Sequence, residues 1–195
     1  MTKLSYAVEF AWQVAGDEVV TSGADAIEPE HLMIGVCSIE KLFSTDLAKR
    51  KRLTEYFMAS VRVEWQELSK IFASAKVTPS ALRRELRAAL KPGAHKPGAK
   101  RKASRSKRSH SIFNRAGKKA ETADSAVVGA THFLAALIEG DSKDWPSSVA
   151  DTLDRMRPGV EAAAKNPLIP QHDSSEQLSY LSEFPIAPNI DRRRK

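Results

Sequence analysis

Two histidines at matching places in the chain are the first candidates for chemistry. His31 and His132 stand 101 residues apart, and each is followed by an apolar run. An imidazole nitrogen could bind a metal ion or move a proton, but no second histidine or cysteine lies at ligand spacing around either residue. We therefore predict no metal site and interpret each histidine as a residue that caps or packs at the start of a helix.

Carboxylates and the single thiol are the next candidates. Asp17 with Glu18, and Glu28 with Glu30, form acidic pairs that could do acid–base work. Nothing in the sequence indicates a buried pocket that would shift their pKa values, so the pattern favours a solvated acidic face. Cys37 is the only cysteine and lies in an apolar run without a neighbouring base, which favours an inert core thiol.

The surroundings of the two histidines indicate an internal duplication. When His31 is placed on His132 without gaps, four further positions are identical and the apolar positions agree. The identical positions are Ser5 with Ser106, Ala15 with Ala116, Gly16 with Gly117, and Thr21 with Thr122. Such agreement is typical of two copies of one supersecondary unit packed on each other. Duplicated helical units bind partners more often than they catalyse reactions, so we expect no enzyme activity.

Apolar residues recur at helical spacing through most of the chain and predict an all-α fold. The predicted helices are one of about 15 residues that starts near Ser5, one from Pro29 to about Ile39, one long or two medium helices over 44–76, and Ser80–Leu90 after a proline. In the second copy they are a helix from Ser106 to about Ala123, Thr131–Glu139, and a helix from Pro146 to about Met156. Copy one then spans about 3–90, a linker spans 91–104, copy two spans 105–156, and 157–195 is a peripheral extension.

The charge of the chain is segregated along the sequence. Residues 91–108 contain eight lysines and arginines and no acid, whereas residues 4–40 contain seven acids and no lysine or arginine. Two Pro-Gly pairs and the like charges predict that the linker is flexible and does not pack. The possible phosphate-backbone contacts are Lys100, Arg101, Lys102 and Arg105. We prefer a solvated tether, which could also lie against the acidic face, and keep non-specific nucleic-acid binding as the alternative.

Several function classes are disfavoured by what the 195 residues lack. No apolar run reaches the 20 or so residues that span a bilayer, and no secretory signal is visible at Met1. A single cysteine is typical of a reducing compartment, so we expect a cytoplasmic protein without membrane contact. No Gly-x-x-x-x-Gly-Lys-Ser/Thr pattern occurs, so we expect neither ATP hydrolysis nor a cofactor.

The paired motifs resemble a known family. Glu28-Pro-Glu-His-Leu-Met, Gly129-Ala-Thr-His-Phe-Leu and the helix Val77–Leu86 resemble the Clp N-terminal domain, or Clp repeat domain, over residues 3 to about 156. That domain precedes the ATPase modules of Clp-type AAA+ unfoldases and also occurs in stand-alone relatives. The segment 40–76 is longer than the family usually has there, and the basic linker is unusual.

The resemblance implies two pseudo-symmetric four-helix repeats packed together. It also implies a non-catalytic module that recruits or presents protein clients or adaptors to an AAA+ ATPase or Clp protease complex. In some family members each repeat binds phosphorylated arginine through the opening Thr and the Glu of the Glu-His motif. By position these are Ser5 and Glu30 in copy one, and Ser106 and Thr131 in copy two, where threonine replaces the family's glutamate.

Overall fold

A computed structural model describes residues 3–43, 55–91, 93–96, 103–140 and 145–168. Its elements are β1 (Lys3–Leu4), α1 (Tyr6–Ser22), β2 (Ala26–Ile27), α2 (Pro29–Cys37), a 3₁₀ helix (Ile39–Phe43), α3 (Glu55–Ser74), α4 (Pro79–Ala89), β3 (Ser104–Arg105), α5 (Lys107–Thr122), β4 (Val127–Val128), α6 (Ala130–Ile138) and α7 (Ser147–Lys165). The all-α prediction is confirmed, and four two-residue strands add to it. None of the described helices is both long and apolar enough to cross a bilayer.

The order strand, helix, strand, helix occurs twice. We call residues 3–37 the first motif and residues 104–138 the second motif. Their strands pair crosswise: β1 pairs in parallel with β4, and β2 pairs in parallel with β3. The described residues place α3 and α4 after the first motif and α7 alone after the second, so a second unit of four helices is not seen in them. The cross-pairing ties the backbones of the two motifs together.

Local sequence explains where the helices begin and end. The Ser5 hydroxyl accepts a hydrogen bond from the Val8 amide at 3.3 Å, and the Ser106 hydroxyl accepts one from Ser109 at 3.2 Å. These N-caps satisfy amides that have no partner within the helix. α1 ends at Gly23, whose φ of 71° is left-handed backbone that glycine adopts without strain.

One hydrophobic core runs through both motifs and α3, α4 and α7. α3 packs against α1, α6 and α7, so it contacts elements of both motifs. Helical spacing over 44–76 predicts an apolar stripe that consists of Leu47, Leu53, Phe57, Val61, Trp65, Leu68 and Phe72. Of these residues Phe57, Val61, Leu68 and Phe72 are buried, while Trp65 is only partly buried. The stripe residues Leu47 and Leu53 lie outside the described part of the chain.

The last helix is longer than we predicted. It does not stop near Met156 but continues through Pro158 to Lys165, with Val160 and Ala164 buried. Proline removes one helical hydrogen bond, but apolar residues at three- and four-residue spacing continue past it and bury the same face. Residues 157–165 therefore belong to the core instead of a peripheral extension.

The linker prediction is wrong for the residues that can be described. The Gly93 amide donates to the Ser22 carbonyl, and the His95 amide donates to the Gly23 carbonyl, each at 3.1 Å. A Cβ on Gly93 would lie 1.8 Å from the Gly23 oxygen, so only glycine permits this approach. Backbone hydrogen bonds to the carbonyls at the end of α1 hold residues 93–96, although these residues bury no apolar side chain. The His95 imidazole also lies 3.1 Å from an Asp25 carboxylate oxygen, against the acidic segment.

Candidate functional site

The paired strands bring the starts of helices from different motifs together. The Ser5 amide donates to the Val128 carbonyl at 3.0 Å, and the Ser106 amide donates to the Ile27 carbonyl at 3.1 Å. The start of α1 therefore lies beside the start of α6, and the start of α5 lies beside the start of α2. Two clusters of polar groups result, one around Ser5 and one around Ser106.

The Ser5 cluster is built around a buried acid. Glu64 of α3 is 2 % exposed, and one of its oxygens accepts from the Ser5 hydroxyl at 2.9 Å and from the Ala130 amide at 2.6 Å. Burial raises the pKa of Glu64 to about 7, although these two hydrogen bonds oppose the rise. Glu64 thus joins α3 to the first turns of α1 and α6.

Sequence reasoning missed Glu64, although a signal was present. Glu64 stands between Val61 and Leu68 on the apolar stripe of α3, at the spacing of a core position. An acid on the buried face of a helix requires hydrogen-bond partners from elsewhere in the fold. Those partners are 59 and 66 residues away in sequence. The sequence could therefore indicate that Glu64 needs hydrogen-bond donors, but not which residues supply them.

The Ser106 cluster lies at the surface and carries two acids. The Ser106 hydroxyl donates to Glu28 Oε2 at 2.8 Å. The Arg108 Nη1 atom lies 3.7 Å from Glu30 Oε1 and 4.0 Å from Glu28 Oε2. The guanidinium of Arg108, from α5, thus already forms ion pairs with both acids at the start of α2.

The expected pairing of serine and acid within one copy is wrong. α2 begins beside the C-terminal part of α1. Two observations indicate this: the charge of Glu18 is close enough to His31 to raise the pKa of the imidazole against the larger effect of burial, and Gly35 packs on the Ala11 carbonyl. With a rise of 1.5 Å per residue, Ser5 lies about 20 Å from the start of α2. The strand pairing instead places each serine beside the short helix of the other motif.

The same crossing applies to the second copy. Ser106 lies at the opposite end of α5 from the start of α6, where Thr131 is 2 % exposed in the first turn. Thr131 is therefore buried beside the Ser5 cluster. Sequence spacing alone could not reveal the crossing, because a two-residue strand has no pattern that identifies its partner.

Both histidines cap the helices that they start, as predicted. His31 Nδ1 accepts from the Glu28 amide at 3.1 Å, and His132 Nδ1 accepts from the Gly129 amide at 3.2 Å. Burial lowers the pKa of each imidazole, so the neutral form is favoured. Among the described residues no group of three histidines, cysteines or acids is placed to hold a metal ion. Cys37 is fully buried, which raises its pKa to about 12 and suits a core thiol.

A groove lies between α1 and α5, and we call it the aromatic groove. The Trp12 and Phe113 rings stand 5.4 Å apart, and Phe113 is anchored on buried Phe133 at 5.0 Å. The Arg105 guanidinium lies 5.4 Å from the Trp12 centroid and 4.9 Å from the Phe113 centroid. The cavity measures about 600 Å³ and is lined by Leu4, Trp12, Arg105, His110, Phe113, Asn114, Gly117, Lys118, Glu121 and Val128.

Only one of the four candidate phosphate contacts lies within the described residues. Lys100, Arg101 and Lys102 lie outside the described residues. Arg105 is described, and its guanidinium lies over two aromatic rings within the aromatic groove.

Comparison with models of protein families identifies a domain in this chain. A family model described as the Clp repeat (R) N-terminal domain matches residues 47–146, about half of the chain. The match includes Ser106, Phe113 and Thr131 but starts after the first motif. No curated protein matches the chain. The match gives no support to the nucleic-acid alternative.

Proposed function

The chain belongs to the Clp repeat N-terminal domain family, and on that premise we propose that it is a non-catalytic module that binds protein clients or adaptors for a Clp-type AAA+ chaperone or protease. The single observation that carries the proposal is the aromatic groove, where two motifs meet over a cavity of about 600 Å³. Trp12 and Phe113 supply the aromatic surface that binding sites for proteins favour. No chemical step is assigned to any residue.

The cross-paired strands make the groove a fixed surface. Leu4 and Val128 are directly paired at its edge, and Phe113 rests on buried Phe133. A groove of this kind loses little conformational entropy on binding, because its walls are held before the partner arrives. We propose that it acts in the reducing cytoplasm, where Cys37 remains a thiol.

Client binding is tested with the full chain and fluorescein-labelled casein as an unfolded probe protein, followed by fluorescence anisotropy. We expect saturable binding that Trp12→Ala weakens at least about tenfold, since a central tryptophan commonly carries 2 kcal/mol or more of binding energy. Trp65→Ala is the matched control, because Trp65 stacks near Phe43 and Phe72 away from the groove. Circular dichroism verifies that both variants remain folded.

Absence of casein binding by the folded wild-type chain contradicts client binding, and equal losses in both tryptophan variants contradict its location. The delivery step is tested by adding the chain to a Clp-type AAA+ protease from the same organism. We expect faster casein degradation with wild type than with Trp12→Ala, and an unchanged rate with both would contradict delivery.

A specific observation favours a second ligand, phosphorylated arginine, at the Ser106 cluster. Glu28 and Glu30 already hold the Arg108 guanidinium beside the Ser106 hydroxyl, the groups suited to a guanidinium and a phosphate oxygen. We propose that phosphoarginine competes with Arg108 for this place. Calorimetric titration with phosphoarginine is expected to show tighter binding to Arg108→Ala than to wild type, and no binding to Glu30→Gln. Equal affinity in all three proteins would contradict the site.

A further inference from the structure

The aromatic groove has an apolar edge and a cationic edge. Leu4 and Val128 form the apolar edge beside Trp12. The charges of the cationic edge are those of Arg105 and Lys118, and this edge runs along one face of α5, where the lining residues recur at spacings of three and four. These α5 residues are His110, Phe113, Asn114, Gly117, Lys118 and Glu121. A ligand that fills the groove therefore meets apolar and positively charged surface together.

Arg105 is the central charge of this edge. Its guanidinium is half-buried over two rings, and no carboxylate oxygen of the described residues lies within 4.0 Å of it. Burial alone lowers the pKa of Arg105, since no described acid compensates for the lost hydration. Contact with the faces of both rings holds the fork of donors in place, an arrangement suited to a bidentate carboxylate.

The remaining charges of the lining favour an anionic ligand. Lys118 and His110 are exposed on the same wall, and Glu121 is the one acid among the lining residues. With His110 neutral, two cations face one acid. A phosphodiester backbone has no apolar side chain that could pack on the apolar edge. The combination of an apolar and a cationic edge therefore fits a peptide better than a nucleic acid.

Resting on the proposed function, we propose that the aromatic groove selects acidic peptide segments that carry an apolar side chain. A peptide carboxylate pairs with Arg105, and a second one reaches Lys118. The apolar side chain packs on Trp12 and Leu4. The first contact sets the affinity because Arg105 is half-buried, whereas the exposed Lys118 adds a weaker, salt-sensitive contribution.

The test compares two labelled twelve-residue peptides with identical leucines, one with four glutamates and the other with four lysines at the same places. Fluorescence anisotropy with the full chain is expected to show binding of the acidic peptide and at least about tenfold weaker binding of the basic one. Arg105→Gln should weaken the acidic peptide about tenfold, and Lys118→Gln about threefold. Arg84→Gln, at an exposed position of α4, is the control and should change nothing.

Lys118→Gln keeps the test decisive if Arg105→Gln fails to fold, because Lys118 is exposed. Equal affinity for the two peptides overturns the proposal, as does acidic-peptide binding that neither groove variant reduces. Tighter binding of a single-stranded oligonucleotide of equal charge also overturns it. So does a dimer that Lys118→Glu dissociates in sedimentation, since a second copy would then fill the groove.

The proposal and the proposed function fail in different ways. If casein binds and Trp12→Ala weakens it while the two peptides bind equally, client binding stands and acidic selectivity falls. If neither casein nor either peptide binds to the folded chain, both fall together.

Discussion

Replacement of Glu64 by glutamine should remove a large pH dependence from the stability of the protein. The pKa of Glu64 is raised to about 7 in the folded chain from an ordinary 4.5. Well below pH 4.5 the group is protonated in both the folded and the unfolded chain and costs nothing. Between pH 4.5 and 7 the unfolded chain loses the proton first, so the free energy of unfolding falls as the pH rises.

The magnitude follows from the difference between the two pKa values. At 1.36 kcal/mol for each pH unit, wild type should lose about 3 kcal/mol of stability between pH 4.5 and 8 through this group. That is a large share of the 5–15 kcal/mol by which domains are commonly stable. Glutamine retains an oxygen that accepts from Ser5 and Ala130 but cannot ionise, so Glu64→Gln should not show this loss.

Urea unfolding followed by circular dichroism at pH 5 and pH 8 measures the effect. Glu64→Gln should exceed wild type by less than about 1 kcal/mol at pH 5 and by about 3 kcal/mol at pH 8. Glu85→Gln, at an exposed position of α4, is the control and should follow wild type at both pH values. A Glu64→Gln variant whose stability runs parallel to wild type between these pH values would refute the reasoning. A variant less stable than wild type at pH 8 would show that the ionised carboxylate stabilises the cluster.

Three further predictions concern packing and buried groups. Gly35→Ala would place a Cβ 2.0 Å from the Ala11 carbonyl oxygen and should lower the free energy of unfolding in urea by about 2 kcal/mol. Gly159→Ala is the control and should be neutral or slightly stabilising, because the nearest atom to its Cβ lies at 3.7 Å. The reverse order of stabilities would contradict the packing. Burial raises the pKa of the Cys37 thiol to about 12. The thiol should therefore react with a disulfide reagent at pH 8 at least about a hundredfold more slowly in the native than in the unfolded protein. Equal rates would show that Cys37 lies at the surface. The imidazole of His31 should titrate below its ordinary 6.5 in proton NMR, so that acid favours unfolding, and a value at or above 6.5 would show that it is solvated.

Much of the fold was readable from the sequence because local signals were strong. Ser5 and Ser106 cap the helices that they were predicted to start, and Pro29 stands in the first turn of α2. The described boundaries of α4 and α5 differ from the predicted ones by about one residue at each end. Hydrophobic spacing and capping chemistry act within a few residues, so the sequence contains them directly.

Long-range features could not be read in the same way. The packing of α2 along α1 separates Ser5 from Glu30, and the cross-pairing of strands places Ser5 beside α6; both join segments that are distant in sequence. The docking of residues 93–96 depends on backbone carbonyls and on Gly93, which the side-chain composition does not reveal. The aromatic groove needs Trp12 from one motif and Arg105 from the other, which only the folded chain brings together.

The central claim is that protein partners bind in the aromatic groove, and the indole signals of the three tryptophans test it most directly. Nitrogen–proton correlation spectra of the full chain give one indole signal each for Trp12, Trp65 and Trp145. Addition of casein should shift or broaden the Trp12 signal, because this ring forms a wall of the groove, and leave Trp65 and Trp145 unchanged. An unchanged Trp12 signal under conditions where anisotropy shows casein bound would contradict the account.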